Sequence, residues 1–331
     1  SALTHHDPLA GEGAALWCLM IRHAVLVGEL PDVQGCVSVL EQHLGRRGSV
    51  DWSSLLSEAA AQAPSVFTAN GWVVGAMQAA WSAIVHTAVL DDFECRHLQA
   101  ALASAIGIGH DTVAAIAGAL LGARWGGSAV PQEWQQPLHG WGVEGPRGAV
   151  ALVRMAVLIV QGDPGRGHRG RRWPDVERMD YRGYGGEATY VPHPLVDGVW
   201  IGGALALEDL PEGIDAVVSL CRVGTTQVPT RAENHVVRLI DTVPRDNPHL
   251  GFVIDDAART VMRLRASGKQ VYLHCVAAHS RTPTVATRVA MLAGHPLEES
   301  LDAVTRALPN AQPRGFLMEA LEELARLDER R

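Results

Sequence analysis

Cys275 and Arg281 are the residues of this 331-residue chain whose types and spacing point most directly to chemistry. Cys275 follows a short apolar run and precedes a helix-like segment, so it is expected at a helix N-terminus, where an anion is favoured. That position lowers a thiol pKa from about 8.5 to about 3.5–7.5 and yields a nucleophilic thiolate. The planar fork of Arg281 can hold two phosphate oxygens at once. The spacing therefore predicts a phosphate-binding loop that carries a nucleophile.

The residues on either side of this loop support the same interpretation. His274 precedes the cysteine, and Thr282 follows the arginine with a hydroxyl able to assist the sulfur as a leaving group. A cysteine that stands alone after a buried strand is more often a small core residue, which is the alternative here. The pattern His-Cys, five residues, Arg-Thr resembles the signature of the cysteine-dependent phosphatases. Residues 190–328 resemble the small dual-specificity branch of that family through WIGGALALEDLPEGIDAVVSLC and HCVAAHSRTPTVATRVAMLAG.

The resemblance implies a two-step reaction that uses neither a metal nor a cofactor. Cys275 would attack phosphorus, an aspartate would protonate the leaving oxygen, and water would then hydrolyse the phospho-cysteine. His274 would orient the loop and help to hold the thiolate. The transferring group would be bound by Arg281 and by the backbone of the loop residues Val276, Ala277, Ala278, His279 and Ser280.

The general acid has two candidates in the segment RLIDTVPRDNPHL. Asp241 ends a predicted strand and is followed by a proline three residues on, as in several members of the family, so it is preferred to Asp246. Either aspartate could instead be an ordinary turn or helix-cap residue. Cys221 ends the neighbouring predicted strand, where some family members carry a second cysteine that forms a reversible disulfide with the nucleophile. The alternative is a small buried apolar residue.

The composition of the loop bears on the substrate. Apart from His279, the residues between Cys275 and Arg281 are neutral, which favours a monoester with few other charges over highly phosphorylated inositides. The expected substrates are phosphotyrosine, phosphoserine or phosphothreonine in proteins. The alternatives are a small nucleotide-type phosphoester, such as a phosphorylated ADP-ribose, and a non-catalytic module that binds phosphorylated partners.

The first half of the chain has helical periodicity and almost no alternating segments. Two stretches, NGWVVGAMQAAW and GHDTVAAIAGALLGARWG, resemble the closing part of the ADP-ribosylglycohydrolase fold, and the resemblance spans about residues 2–161. In that family an Asp-x-Asp-Thr run precedes the helix that corresponds to TVAAIAG here, and its two carboxylates bind two divalent ions. Here only Asp111-Thr112 remains, with Gly109 at the place of the other aspartate, so we expect no metal site and no glycohydrolase activity. Asp111-Thr112 is expected to cap a helix, and the module to be a helical platform that could bind an ADP-ribosyl ligand.

The chain as a whole is predicted to have two domains. The expected parts are an all-α module at 1–161, a linker rich in Gly, Arg and Pro at 162–189, and an α/β phosphatase-like domain with a mostly parallel central sheet at 190–331. The formal net charge of -8 argues against a nucleic-acid partner. No long apolar run or basic leader is evident, and the five cysteines are scattered, so a cytoplasmic protein without a membrane partner is expected.

Overall fold

The computed structural model describes residues 3, 5–89, 92–139, 148–161, 176–184 and 188–330. It divides into two compact units, Ser1–Val130 and Pro131–Arg331. Most of the linker predicted at 162–189 lies outside the described residues, including the basic run at 165–172. The segment 131–139 belongs to the second compact unit, although composition places it in the first module.

The first unit is helical. Its α-helices are α1 (Pro8–Val27), α2 (Val33–Leu44), α3 (Trp52–Ala61), α4 (Val73–Val85) and α5 (His97–Trp125). The helices begin where the sequence offers caps: Asp7, Asp32 and Asp51 each accept a backbone N–H from the first turn of α1, α2 and α3. Apolar residues of α1, including Leu16 and Met20, are fully buried in this unit. The all-α prediction is confirmed.

By length and composition α1 is the one helix, among the described residues, that could cross a membrane. A signal sequence near an N-terminus and a core helix of a soluble protein both have this character. Only a third of its most apolar window is buried: Leu16 and Ala24 lie in the core, whereas Val25 and Leu26 are exposed. The indole of Trp17 on this helix donates to the carbonyl of Ile116 at 3.0 Å, which ties α1 to α5.

The prediction that Asp111-Thr112 caps a helix is wrong, because α5 runs unbroken from His97 to Trp125. Asp111 lies inside this helix, where its carboxylate accepts the neighbouring N–H of Thr112 at 3.0 Å. A side chain at Gly109 would begin 2.0 Å from Cγ2 of Val113 and 3.0 Å from Nδ2 of Asn70. The space that a second aspartate would need is therefore filled.

Glu12 of α1 is a buried carboxylate held entirely within the first unit. It accepts from the Arg46 guanidinium at 2.7 Å, from the Ser49 backbone and hydroxyl at 2.7 and 2.8 Å, and from the Trp52 indole at 3.3 Å. Burial alone would raise the pKa of Glu12, but these donors outweigh it and lower the pKa to about 2. The carboxylate organises the connection between α2 and α3.

The second unit is an α/β structure. Its helices are α6 (Gln132–Gln135), α7 (Gly148–Gln161), α8 (Leu250–Ala266), α9 (Arg281–Leu292), α10 (Leu297–Ala307) and α11 (Gly315–Glu329). Its strands are β1 (Tyr190–Pro192), β2 (Val199–Gly203), β3 (Ala216–Ser219), β4 (Glu233–Val236) and β5 (Val271–Cys275). The sheet has the order β1-β2-β5-β3-β4. Strands β2, β5, β3 and β4 are parallel, and β1, which the sequence pattern missed, is antiparallel to β2. The mostly parallel sheet is confirmed.

The central strand β5 is buried at every residue, as expected for a strand with neighbours on both sides and helices on its faces. Its register places His274 between Gly202 of β2 and Ser219 of β3, and Cys275 beside Gly203. The carboxyl ends of three parallel strands therefore meet at Cys275.

The outer strand β4 is covered by two glutamines that we call the glutamine clip, Gln132 and Gln136. Gln132 donates from Nε2 to the Val236 carbonyl at 3.1 Å, and Gln136 donates from Nε2 to the Asn234 carbonyl at 3.4 Å. The backbone N–H of Gln132 also donates to Asp256 of α8 at 2.9 Å. Burial raises the pKa of Asp256 to about 6 against the opposing effect of this hydrogen bond.

The helices behind β5 are joined by a buried ion network. Arg288 of α9, 1% exposed, donates to Asp255 of α8 at 2.6 and 3.0 Å and pairs with Asp328 of α11. Arg259 completes the network on Asp255 at 2.7 Å. Each buried charge has a partner, as burial of charge requires.

Candidate functional site

The loop 276–280 joins β5 to α9 at the carboxyl edge of the sheet. Among the described residues, no acceptor is found for the backbone N–H groups of Val276 to Ser280, and no side chain caps α9. Ala278 adopts φ of +56°, the only positive φ of a non-glycine residue in the part of the chain described. This strained conformation is buried, and it curls the loop so that its donors remain free. Cys275, 2% exposed, lies at the base of this loop.

His274 supports the loop from below as a neutral imidazole. Its Nδ1 donates to the carbonyl of Cys275 at 3.1 Å, and its Nε2 accepts from the Ser219 hydroxyl at 2.8 Å. Burial lowers the pKa of His274 to about 4, opposed by the hydrogen bond to Cys275 and assisted by the positive charge of Arg281. The imidazole therefore fixes the end of β5 without carrying a charge at neutral pH.

Arg281 opens α9 and spans the site with its guanidinium. Nη1 donates to the carbonyls of Leu220 at 2.8 Å and Leu239 at 3.2 Å, which follow β3 and β4. Nε lies 3.0 Å from Oδ2 of Asp241, an ion contact in which the N–H is not directed at the oxygen. The arginine is 12% exposed and the aspartate 31% exposed. The loop arginine and the preferred general acid are thus in direct contact.

The second aspartate has a different place. Asp246 is exposed, and its carboxylate accepts from the Thr242 hydroxyl at 2.8 Å. The structure brings Asp241 to Arg281 and leaves Asp246 as a partner of the turn.

The end of the loop is held by α9 and by the connection between α10 and α11. The Gln312 N–H donates to the His279 carbonyl at 2.6 Å, and the Arg314 N–H donates to the Ser280 hydroxyl at 3.1 Å. His279 itself is exposed. The Thr282 hydroxyl donates to the Gly202 carbonyl at 3.1 Å, so in this structure its proton is directed to β2 and not to the sulfur.

Cys221 lies on the β3 side of the site, buried beside Tyr181. Its Sγ is 3.9 Å from Nδ1 of His274, and it packs with Tyr181 and Ala204 against Val276 of the loop. Burial, followed by the charge interaction with Cys275, raises the pKa of Cys221 to about 12, although Arg281 opposes the shift. Cys221 is a thiol at neutral pH.

Tyr181 belongs to the segment 176–184, which composition assigned to the linker. Backbone hydrogen bonds of 3.0 Å run from Thr225 and Thr226 to this segment, and Gln227 exchanges bonds of 3.1 and 3.2 Å with Met179. The Tyr181 hydroxyl donates to the Arg222 carbonyl. The segment is therefore a wall of the site.

Sequence reasoning missed Ser219, which bonds His274, Tyr181, which packs against Cys221, and Asn247, whose carboxamide bonds Ile240 beside Asp241. Ser219 carried a usable signal, since it is a polar residue in the apolar run VVSLC of a buried strand. Asn247 sits in Asp-Asn-Pro, which resembles ordinary turn chemistry, and Tyr181 sits among glycines and arginines.

The second unit is thus an α/β structure in which Cys275 and Arg281 lie at the two ends of a loop whose backbone N–H groups have no acceptor among the described residues. Two comparisons with known proteins bear on the chain. Residues 1–165 match the ADP-ribosylglycohydrolase family model. Human DUSP28 is 20% identical, with 43% of this chain and 99% of that chain covered and a TM-score of 0.37. A mouse putative dual specificity phosphatase complexed with zinc tungstate is 22% identical, with 43% and 92% covered and a TM-score of 0.36.

No curated protein matches the chain significantly. Both resemblances expected from the sequence are confirmed, one by the family model over the first half and one by the phosphatases among the solved structures that cover the C-terminal part. The chain joins a glycohydrolase-like module to a phosphatase-like one.

Proposed function

We propose that the second unit is a metal-independent phosphomonoester hydrolase that forms a phospho-cysteine intermediate. The observation that carries the proposal is the arrangement of Cys275, the free loop amides, and the Arg281 guanidinium in contact with Asp241. We assign the nucleophile and the anion donors to residues 275–281 and the proton donor to Asp241, which contacts Arg281. The loop donors favour a dianionic phosphate group.

Phosphate binding would first use the loop amides and Arg281. Nη1 is already held by the Leu220 and Leu239 carbonyls, which fixes the plane of the guanidinium in advance. A phosphate competes with Asp241 for the edge that carries Nε. Release of the aspartate from the arginine as phosphate binds would free its carboxyl for proton transfer.

The chemistry would follow in two displacements. Sγ of Cys275 attacks phosphorus, the bond from phosphorus to the ester oxygen breaks, and that oxygen takes the proton of Asp241. Water then attacks phosphorus while Asp241 accepts its proton, and the bond between sulfur and phosphorus breaks to release phosphate and the thiolate. Arg281 and the loop amides stabilise the charge of both transition states.

The test is turnover of p-nitrophenyl phosphate by the full chain in the presence of a metal chelator. We expect activity that is lost in Cys275→Ser and strongly reduced in Asp241→Asn, with Asp246→Asn much closer to the wild type. Activity that requires added metal, or that survives Cys275→Ser, would refute the proposal. A stronger loss in Asp246→Asn than in Asp241→Asn would exchange the roles of the two aspartates.

For the substrate we propose phosphotyrosine, phosphoserine or phosphothreonine in a protein. The loop offers no lysine, and His279 is its one exposed titratable side chain, so no side chain of the loop recognises additional phosphates. Phosphopeptides should then be hydrolysed more efficiently than multiply phosphorylated inositides. Preference for the inositides would contradict this choice.

A second candidate substrate is a small nucleotide-type phosphoester such as a phosphorylated ADP-ribose. It is favoured by the match of residues 1–165 to the ADP-ribosylglycohydrolase family model, since that module is the natural place for an ADP-ribosyl ligand. Competition between a phosphopeptide and phosphorylated ADP-ribose separates the two substrates. Binding of both without turnover would indicate a non-catalytic phosphate-binding module.

A further inference from the structure

We infer that Asn247 is a positioning residue for the general acid, an inference that rests on the proposed function. Asn247 is 8% exposed and forms two hydrogen bonds with one residue. Its Oδ1 accepts the Ile240 N–H at 2.8 Å, and its Nδ2 donates to the Ile240 carbonyl at 2.7 Å. Ile240 directly precedes Asp241.

These two hydrogen bonds take the place of the backbone pairing that Ile240 would make with a neighbouring strand if β4 continued to it. β4 ends at Val236, and residues 237–241 have no regular secondary structure. The side chain of Ile240 is 41% exposed, so apolar packing does not anchor it strongly. The carboxamide of Asn247 presents one donor and one acceptor in the geometry of a neighbouring strand, and both groups of Ile240 are satisfied by it.

The residues around Asp241 are fixed in turn. Arg281 holds the Leu239 carbonyl, Asn247 holds both backbone groups of Ile240, and Asp246 holds the Thr242 hydroxyl. Asp241 is therefore placed by its neighbours, while its own carboxylate contacts the Arg281 guanidinium. When a phosphate takes that contact, the Asn247 bonds keep the aspartate beside the leaving oxygen.

The inference predicts an effect that depends on the leaving group. A poor leaving group such as phenol needs protonation much more than p-nitrophenol does, so misplacing the acid affects phenyl phosphate more. A misplacement near 1 Å costs about 100-fold, so we expect Asn247→Ala to lower kcat/KM for phenyl phosphate by about 10–100-fold. The loss for p-nitrophenyl phosphate should be at least about five times smaller.

The experiment compares both esters in the full-length wild type, Asn247→Ala and Asn247→Asp, alone and combined with Asp241→Asn. Asn247→Asp keeps the acceptor for the Ile240 N–H and loses the donor, so its loss of kcat/KM should lie between those of the wild type and Asn247→Ala. It also provides the test if Asn247→Ala does not fold. Asn234→Ala, which removes a half-buried carboxamide from β4, is the matched control and should leave the ratio of the two esters unchanged. In the Asp241→Asn background, Asn247→Ala should add less than about a twofold loss, because residues acting through one group are not additive.

Equal losses on the two esters, or an undiminished loss in the Asp241→Asn background, would overturn the inference and leave Asn247 a purely structural residue. That result is distinguishable from failure of the proposed function. In the latter case the wild type itself hydrolyses neither ester, and a role in positioning an acid falls with the reaction.

Discussion

Replacement of Arg281 by lysine tests most directly whether the geometry of the guanidinium, and not only its charge, carries the proposed reaction. Nη1 holds the carbonyls of Leu220 and Leu239 while Nε faces Asp241, and a single ammonium cannot make these contacts and bind phosphate. Loss of one donor to a developing charge costs about 10²–10³ in kcat. Each buried carbonyl left without a donor costs about 1–3 kcal/mol of stability.

We therefore expect Arg281→Lys to reduce kcat on p-nitrophenyl phosphate by about 10²–10³-fold. Steady-state kinetics on the full chain measure the activity, and urea unfolding measures the stability. Arg288→Lys is the matched control, because it makes the same change at a buried arginine that binds Asp255 and Asp328 behind the sheet. The control should lose stability and keep kcat within a few-fold. An Arg281→Lys enzyme within threefold of wild-type kcat would refute the reasoning.

Three further predictions concern groups whose pKa values the fold shifts. The lowered pKa of Glu12 means that its stabilisation is present above pH 4.5 and is lost as the pH falls through about 2. Glu12→Gln should destabilise the first unit by about 2–4 kcal/mol at pH 7, measured as faster amide exchange at Ser49; unchanged exchange would contradict this. The raised pKa of Asp256 means that stability is lost as the pH rises from 3.8 through about 6, so Asp256→Asn should gain about 1–3 kcal/mol at pH 7.5 and nothing at pH 4 in urea unfolding. A gain that is the same at both pH values would count against the ionisation argument. Peroxide should convert Cys221 and Cys275 to a disulfide detectable by mass spectrometry, because Cys221 lies close enough to Cys275 for the charge interaction that helps to raise its pKa. Irreversible oxidation of Cys275 without a linked peptide would exclude that partnership.

The parts of the fold that could be predicted are those in which local pattern and tertiary position agree. The strand, loop and helix around Cys275 follow from an apolar run, a motif and a helical period. The motif also predicts Arg281, because binding of the phosphate oxygens requires a guanidinium at a fixed number of residues after the cysteine.

The parts that could not be predicted depend on contacts between distant residues. Gly109 and Asp111 are residue types common in turns, yet they continue α5, where Gly109 packs closely against Val113 and Asn70. Asn247 and Tyr181 have local surroundings typical of a turn and a linker. Asn247 contacts Ile240, and Tyr181 contacts Cys221, only once the chain has folded, so the local sequence does not predict these contacts.

The glutamine clip shows that the second compact unit extends ahead of the boundary that composition predicts at residue 190. An exposed outer strand offers unpaired carbonyls to other chains and promotes edge-to-edge association. Gln132 and Gln136 use side chains to close β4, and both lie within the segment that the glycohydrolase family model covers. A protein trimmed to residues 190–331 would lose this cover, so it should self-associate more than a protein that retains residues 131–161, as light scattering would show. Residues 131–139 therefore protect an edge of the compact unit to which they belong, and a cut at the compositional boundary would expose that edge.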